Sequence, residues 1–266
     1  MTVAEKLARV ALNERRVFDA GVAKGSAIGD YGTGVAAGRA AERAAFWDVY
    51  LSDGSLKRAS YMFAEPRFGY SNFYPTRDIR PVGRAQNLFY NFGGEVNGVK
   101  EDGIDLRERL RECGVSLDLS GATNLVYCFA YTRFYGLPAL DFTGCGSETQ
   151  GVFDSMYFLT EIDGITVDAD NTFEGWFSNC PELREVRFSG IIAHDVDLHW
   201  SKKLSRESID SLFWICNESQ GYDFKVTLSR DAVNKAFETS VGANDGSTSD
   251  DWYNAVNYSH QNIILQ

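Results

Sequence analysis

Apolar positions recur along the middle of the chain with a fixed period. Three phenylalanines stand 24 residues apart, and aliphatic residues follow the second and third of them after six and nine residues. The members of this series are Phe129, Phe153, Phe177, Leu159, Leu183, Ile162 and Val186. A period in this range is typical of stacked repeats, because one repeat cannot bury its apolar edge alone and packs against a neighbour. The pattern predicts a solenoid whose phenylalanines form a continuous spine.

Each predicted repeat places its phenylalanine in a short helical or irregular stretch, which leads through a turn to a brief strand. Strands are predicted at Leu140–Phe142, Ile162–Val167 and Val186–Phe188. Alternation of apolar and polar residues predicts a further strand at Val115–Leu119. Stacked side by side, these strands would form a parallel ladder.

The earlier repeats are less regular but share a motif. The segments Ala59–Phe63, Ala85–Phe92 and Ala122–Phe129 each begin with a small residue and end with a phenylalanine. This alignment places Phe92 in the spine, 37 residues before its counterpart in the next repeat. An extra segment, with a charged helical piece at Arg107–Cys113, is predicted to lie between them.

Residues 1–50 are predicted to form a separate helical segment. Residues 3–22 have the apolar stripe of an amphipathic helix, with Thr2 as its N-cap, and glycines follow at four-residue steps from Gly21 to Gly29. Glycine costs about 1 kcal/mol per helical position relative to alanine, so one interpretation is a flexible linker. The other, which we favour, is an oligomerisation or docking element in which small residues let helices approach closely.

The period fails after about residue 200, so we assign residues 51–200 to the repeats and 201–266 to a C-terminal cap. The cap is predicted to contain a helix that opens at Ser205–Ser208, a strand at Val226–Leu228, a helix capped by Ser229 and a strand at Ile263–Leu265. A solenoid needs such an atypical end to cover its last strand edge and apolar face. The predicted fold class is therefore an α/β solenoid with an N-terminal helical segment and an α/β cap.

Composition narrows the function classes. The 266 residues are 44% apolar and 14% aromatic, which excludes general disorder. A net charge of −11 disfavours a nucleic-acid partner, because phosphate binding needs a basic surface. We expect no membrane insertion, since no apolar run approaches the ~20 residues that span a bilayer. We also expect no secretory signal, and a product that stays in a cytoplasm or is assembled there into something larger.

Five cysteines are spread along the chain without a CxxC pair: Cys113, Cys128, Cys145, Cys180 and Cys216. Their odd number and wide spacing favour buried free thiols over a disulfide framework or a zinc site.

The segment His194–His199 is the best candidate for a metal site. On a strand, Asp195, Asp197 and His199 would share one face, and three such ligands can hold a divalent ion. The alternative, which we favour, is an exposed polar face opposite the apolar residues of the same strand. We therefore predict no bound metal.

Other polar motifs also have simpler interpretations. Asp168 and Asp170 could form an acid–base pair for glycoside cleavage, but aspartates at a repeat turn also bond the backbone, and we favour the turn. The glycine-rich stretch 29–38 faintly resembles a phosphate-binding loop but has no preceding strand or lysine. There is no GxSxG motif, and we predict no catalytic residue and no cofactor.

Aromatic residues are the strongest candidates for a binding surface. They are crowded into two regions, and the candidates are Tyr61, Phe68, Tyr70, Phe73, Tyr74, Tyr131, Phe134 and Tyr135. Exposed aromatic faces serve carbohydrate or protein recognition. The alternative is that these side chains fill an irregular core.

Three stretches of the chain resemble BspA-like leucine-rich-repeat proteins: Ala122–Phe142, Thr172–Gly190 and Leu204–Phe237. The opening residues Thr2–Gly21, together with Ala45–Tyr50, resemble a lineage of that family found in gut Firmicutes and their phages or prophages. The resemblance implies a leucine-rich-repeat-like stack that binds a ligand or surface. It supplies no catalytic residues.

In the phage-associated lineage, the resemblance implies a virion component such as a tail or fibre accessory. The leading hypothesis is therefore a noncatalytic virion protein that assembles through residues 1–50 with itself or other virion proteins and contacts a host-surface glycan or protein. A bacterial surface adhesin is the alternative. A carbohydrate-active enzyme is a third hypothesis, and it rests only on scattered carboxylates.

Overall fold

The computed structural model describes residues 59, 63–64, 73–75, 78–93, 103–237 and 263–266. The predictions for residues 1–50, including the helix over 3–22 and the glycine-rich stretch 29–38, lie outside these residues.

The described residues form nine short strands and three helices. The strands are β1 (Gly83–Arg84), β2 (Ala122–Asn124), β3 (Gly136–Leu137), β4 (Leu140–Asp141), β5 (Glu161–Val167), β6 (Glu185–Gly190), β7 (Val196–Leu198), β8 (Val226–Leu228) and β9 (Ile263–Leu265). The helices are α1 (Leu106–Cys113), α2 (Arg206–Glu218) and α3 (Arg230–Ala236). No helix in the described part of the chain is long and apolar enough to cross a membrane.

Strands pair in parallel throughout the described residues. β1 pairs with β2, β3 and β4 both pair with β5, β5 pairs with β6, and β8 lies between β7 and β9. In the longest pair, Ile162 lies opposite Val186, so strands of consecutive predicted repeats are neighbours. The strands predicted around residues 140, 162, 186, 226 and 263 are confirmed.

The strand predicted at Val115–Leu119 is reduced to one isolated bridge, between Leu117 and Ile79. Leu119 is buried as the alternation requires. Aspartate side chains compete for the neighbouring amides: the N–H of Ser116 donates to Asp78 Oδ1 at 2.8 Å, and the N–H of Ser120 donates to Asp118 Oδ1 at 3.1 Å. A side-chain acceptor replaces the carbonyl that a longer ladder would need, so pairing stops after one bridge.

Five buried phenylalanine rings stack in a row through the core. Their centroid distances are 4.9 Å for Phe63–Phe89, 5.3 Å for Phe89–Phe129, 5.8 Å for Phe129–Phe153 and 5.4 Å for Phe153–Phe177, with interplanar angles of 9–21°. Leu159, Leu183, Ile162 and Val186 are all buried in the same cluster.

The predicted position of Phe92 in this row is wrong. The N–H of Phe89 donates to the carbonyl of Cys128, which places Phe89 opposite Phe129. Phe92 is buried beside the row instead, with its ring stacked on Phe134 at 5.5 Å. The motif predicted Phe92 in place of Phe89 because the two phenylalanines stand three residues apart and both end a similar apolar stretch.

Helix α2 lies along the free edge of β6, and serine side chains of the helix accept hydrogen bonds from backbone N–H groups of that strand. Ser208 Oγ accepts the N–H of Val186 at 2.9 Å, and Ser211 Oγ accepts the N–H of Phe188 at 3.3 Å. Ser205 is the N-cap of this helix, since its side chain accepts the N–H of Ser208. The edge of the ladder is therefore closed by hydroxyl groups where another strand would otherwise pair.

Candidate functional site

Four segments carry stacked phenylalanines on backbone that repeats its conformation. We call the surface that they form the ladder face, and its segments are 87–91, 127–131, 151–155 and 175–179. Their backbones are hydrogen-bonded in register. The N–H of Asn87 donates to the carbonyl of Val126, and the N–H of Tyr127 donates to the carbonyl of Gln150, at 2.8 and 2.9 Å.

The first and fifth residues of every segment in the ladder face have left-handed backbone. The first column is Asn87, Tyr127, Gly151 and Gly175, with φ between 53° and 67°. The second column is Asn91, Tyr131, Ser155 and Asn179, with φ between 54° and 61°. Left-handed backbone is thus a property of the repeat itself, imposed by the backbone bonds between segments.

Tyr127 and Tyr131, which we call the tyrosine pair, are the bulky residues in these columns. Glycine and asparagine visit the left-handed region readily, whereas it costs an ordinary residue about 1–2 kcal/mol. A bulky side chain there is an outlier. The segment 127–131 therefore carries backbone strain at both of its left-handed positions, whereas the other segments have glycine or asparagine at all of theirs except Ser155.

Both rings of the tyrosine pair are at the surface. Tyr127 is 40% exposed and its ring covers the backbone of Gly151, where a Cβ atom would collide with it. Tyr131 is 43% exposed and meets the ring of Tyr90 edge to face, with centroids 5.4 Å apart. The pair presents two aromatic faces to solvent from one segment.

Polar groups adjoin the tyrosine pair in the next two segments. Ser155 Oγ donates to Asp154 Oδ1 at 2.9 Å, and Asn179 Nδ2 donates to Ser155 Oγ at 3.4 Å. Asp154 is the single charged residue among the twenty of the ladder face, in a chain that is 24% charged. The surface is therefore aromatic and polar but almost free of charge.

The aromatic candidates from the sequence divide into three groups. Phe73 and Phe134 are buried, which corrects their assignment to a binding surface: their rings pack on Phe92 at 5.0 and 5.5 Å. Tyr74, Tyr131 and Tyr135 are exposed. The remaining candidates, Tyr61, Phe68 and Tyr70, lie outside the described residues.

Sequence reasoning missed Tyr127. Tyr157 and Phe158 are also exposed, but they lie outside the ladder face. The guanidinium of Arg133 lies 4.5 Å from the centre of the Phe158 ring. A signal for Tyr127 was present: it stands two residues before a spine phenylalanine, at the position that holds Gly151 and Gly175 in the following repeats.

A second region of interest is a cleft of about 580 Å³ between α1 and the strands. Arg107 fills one side of it and binds three carboxylates: Nε reaches Asp105 at 2.9 Å, and Nη1 reaches Glu161 and Asp163 at 2.9 and 2.7 Å. Burial opposes the charge of Asp105, but its hydrogen bonds with Arg107 and two helix amides outweigh burial and lower its pKa. With its guanidinium bound in this way, Arg107 holds α1 on the strands.

The residues considered for a metal site have other partners. Asp195 accepts the N–H of Lys225 at 2.8 Å, while Asp197 Oδ1 contacts His199 Nδ1 at 2.6 Å and accepts the N–H of the same residue. Within the part of the chain that the structure describes, no group of three or more His, Cys, Asp or Glu side chains is placed to hold a metal ion.

The turn role of Asp168 is confirmed. Its Oδ1 accepts the N–H of Asp170 at 3.1 Å, and its Oδ2 accepts the N–H of Gly144 from the preceding repeat at 2.6 Å. These bonds stabilise a turn and connect two repeats.

The predicted burial of the cysteines is confirmed for Cys128, Cys145, Cys180 and Cys216, whereas Cys113 is half-buried. Burial raises the pKa of the Cys145, Cys180 and Cys216 thiols to about 12. These thiols belong to the core and are poor nucleophiles in the folded protein.

Comparison of the chain with protein-family models, with curated proteins and with solved structures found no match. What the protein does must therefore be inferred from its own residues and from the resemblance seen in its sequence.

Proposed function

We propose that this protein is a noncatalytic repeat protein of a phage particle, of the tail or fibre type, which contacts the host surface through the tyrosine pair. We also propose that its fold is a leucine-rich-repeat-like solenoid. The parallel pairing and the row of stacked rings support the fold, and the sequence resemblance supports the setting.

One observation carries the binding role. Asparagine, glycine and serine occupy the left-handed positions of the other segments, but segment 127–131 has tyrosine at both. Selection for stability alone would favour glycine or asparagine, because these two residues relieve the backbone strain. Tyrosine is enriched at binding hot spots, where a rigid ring supplies large contact area. Recognition is a physical reason for keeping two strained, exposed rings.

The test replaces the pair with the residue found at the same positions one segment earlier. A Tyr127→Asn/Tyr131→Asn variant should lose at least about tenfold in affinity for intact cells, equivalent to about 1.4 kcal/mol. Its free energy of unfolding should change by less than about 1 kcal/mol, because relief of strain offsets the lost ring contacts. Binding would be measured by flow cytometry on a panel of gut Firmicutes.

The matched control is Tyr157→Asn, which removes a tyrosine that is 51% exposed and lies outside the ladder face. This variant should bind as the original protein does. Equal binding by the original protein and the double variant would contradict the proposed role of the tyrosine pair.

We further propose that residues 1–50 mediate self-association or attachment to other virion proteins. Removing them should convert an oligomer into a monomer, as measured by light scattering, with circular dichroism as the control for folding. The same number of chains per assembly in both proteins would contradict the assembly role. Labelling the protein in purified particles would test the virion setting separately.

A further inference from the structure

We infer that the ladder face binds neutral pyranose sugars, with the tyrosine pair stacked on the sugar ring. This inference rests on the proposed binding function and specifies its ligand. Three features of the ladder face favour such a ligand: its charge, its arrangement of rings and polar groups, and its size.

The charge of the surface selects a neutral ligand. Asp154 is the single charged residue among the twenty of the ladder face, and the chain as a whole has a net charge of −11. A uronate, sialate or phosphate-bearing glycan would be repelled by this carboxylate and would find no cation in these four segments. A neutral sugar is not repelled by Asp154 and needs no cation to bind.

The chemistry of the surface matches both faces of a pyranose. Tyr127 and Tyr131 offer apolar rings on which the C–H face of a sugar can stack. In the adjoining segments, Asp154, Ser155 and Asn179 form a hydrogen-bonded row. Ser155 is buried and connects the other two, which are half-buried. The carboxylate of Asp154 and the amide of Asn179 can bond sugar hydroxyls, and the carboxylate gives the stronger, charge-assisted bonds. A few placed polar groups beside aromatic rings are typical of small-ligand sites.

The spacing and size favour an oligosaccharide over a protein. Neighbouring segments of a ladder lie about 4.8 Å apart, close to the width of one sugar unit, so consecutive units can follow consecutive segments. A stable protein interface buries about 800 Å² on each partner, far more than two half-exposed tyrosines provide.

The direct test titrates the full-length chain with neutral oligosaccharides (glucans, galactans, mannans and N-acetylglucosamine oligomers) and with uronate and sialylated oligosaccharides, by calorimetry. At least one neutral class should bind, and the anionic classes should not. Tyr131→Asn should weaken binding at least about tenfold. Tyr131→Phe, which keeps the ring, should bind within about threefold of the original, and so should Tyr157→Asn. No binding to any neutral class, or tighter binding to the anionic ones, would overturn the inference.

A second experiment separates this inference from the proposed function. Cells that bind the protein would be treated with periodate, which cleaves sugar rings, or with protease. Loss of binding after periodate supports the sugar ligand. Loss after protease alone overturns the sugar inference and leaves the proposed surface-binding role in place. Failure to bind any untreated cell of the panel counts against the proposed function itself.

Discussion

At the scale of single residues, the same five-residue turn has an inward and an outward role. Phe129 and its counterparts are buried and stack ring on ring, while the left-handed residues two positions to either side range from buried Ser155 to exposed Tyr127 and Tyr131. The inward position is phenylalanine in all four segments. The left-handed positions vary between asparagine, glycine, serine and tyrosine.

The middle ring of the row should matter most for stability. Phe129→Ala removes a fully buried ring that stacks on Phe89 and Phe153, and we expect a loss of about 3–5 kcal/mol in the free energy of unfolding. Phe158→Ala is the control, because that ring is 45% exposed, and it should cost less than about 1.5 kcal/mol. Urea denaturation followed by circular dichroism would measure both. Similar losses for the two variants would contradict the stacked core.

At the scale of elements, the two longer helices are attached to the strands by polar groups. Asp105 caps α1 and pairs with Arg107, and this pair lies against Gly136, where any Cβ atom would collide with the carboxylate. Helix α2 uses hydroxyl groups toward β6. Both attachments are specific, since each depends on single side chains with defined partners.

The attachment of α1 should be sensitive to pH. The folded pKa of Asp105 lies below the unfolded value of about 3.9. Its contribution to stability is therefore complete above that value and is lost as the pH falls through the folded pKa. Arg107→Met should lower the free energy of unfolding by about 2–3 kcal/mol at pH 7. This loss is smaller than the loss expected when a fully buried ion pair is broken. The variant should also reduce the loss of stability between pH 5 and pH 2 (roughly the window around these pKa values).

Denaturant titrations at a series of pH values would measure this effect. Asp78→Asn is the control for an exposed aspartate whose pKa is also lowered, by hydrogen bonds from Ser116. An Arg107→Met variant with the original pH profile would contradict the role of the ion pair.

The serine hydroxyls of α2 should stabilise the edge of β6. Ser208→Ala leaves the amide of Val186 buried without an acceptor, and we expect a cost of about 1–3 kcal/mol. The exposed Ser120→Ala should cost less than about 1 kcal/mol. Hydrogen exchange would report the effect locally, since the amide of Val186 should exchange faster relative to that of Ile165. Unchanged exchange at Val186 would show that another acceptor satisfies it.

At the scale of the whole molecule, one apolar cluster runs from Ala59 to Phe237 through the described residues. Four cysteines lie within or beside it, each from a different part of the chain. Their thiols should therefore report unfolding of the whole cluster. Local opening of one repeat would expose only its own thiol.

Thiol labelling with Ellman's reagent would measure this cooperativity. Under native conditions at pH 8, the half-buried Cys113 should react first. Cys128, Cys145, Cys180 and Cys216 should react together and at the rate of global unfolding, because burial raises the pKa of each. Separate labelling phases for these four thiols would mean that the repeats open independently.

The sequence by itself determined the repeat period, the buried phenylalanines at 129, 153 and 177, and the strand that follows each phenylalanine. These features depend on apolar positions repeated at constant spacing. Before Phe129 the spacing between phenylalanines is not constant, so the apolar pattern does not show which residues of two segments correspond. The row of rings continues from Phe129 to Phe89 and Phe63 across 40 and 26 residues, and only backbone hydrogen bonds between segments select Phe89 over Phe92. The tertiary structure alone decided that the tyrosine pair is left-handed and exposed, because φ at these positions is imposed by the neighbouring segments.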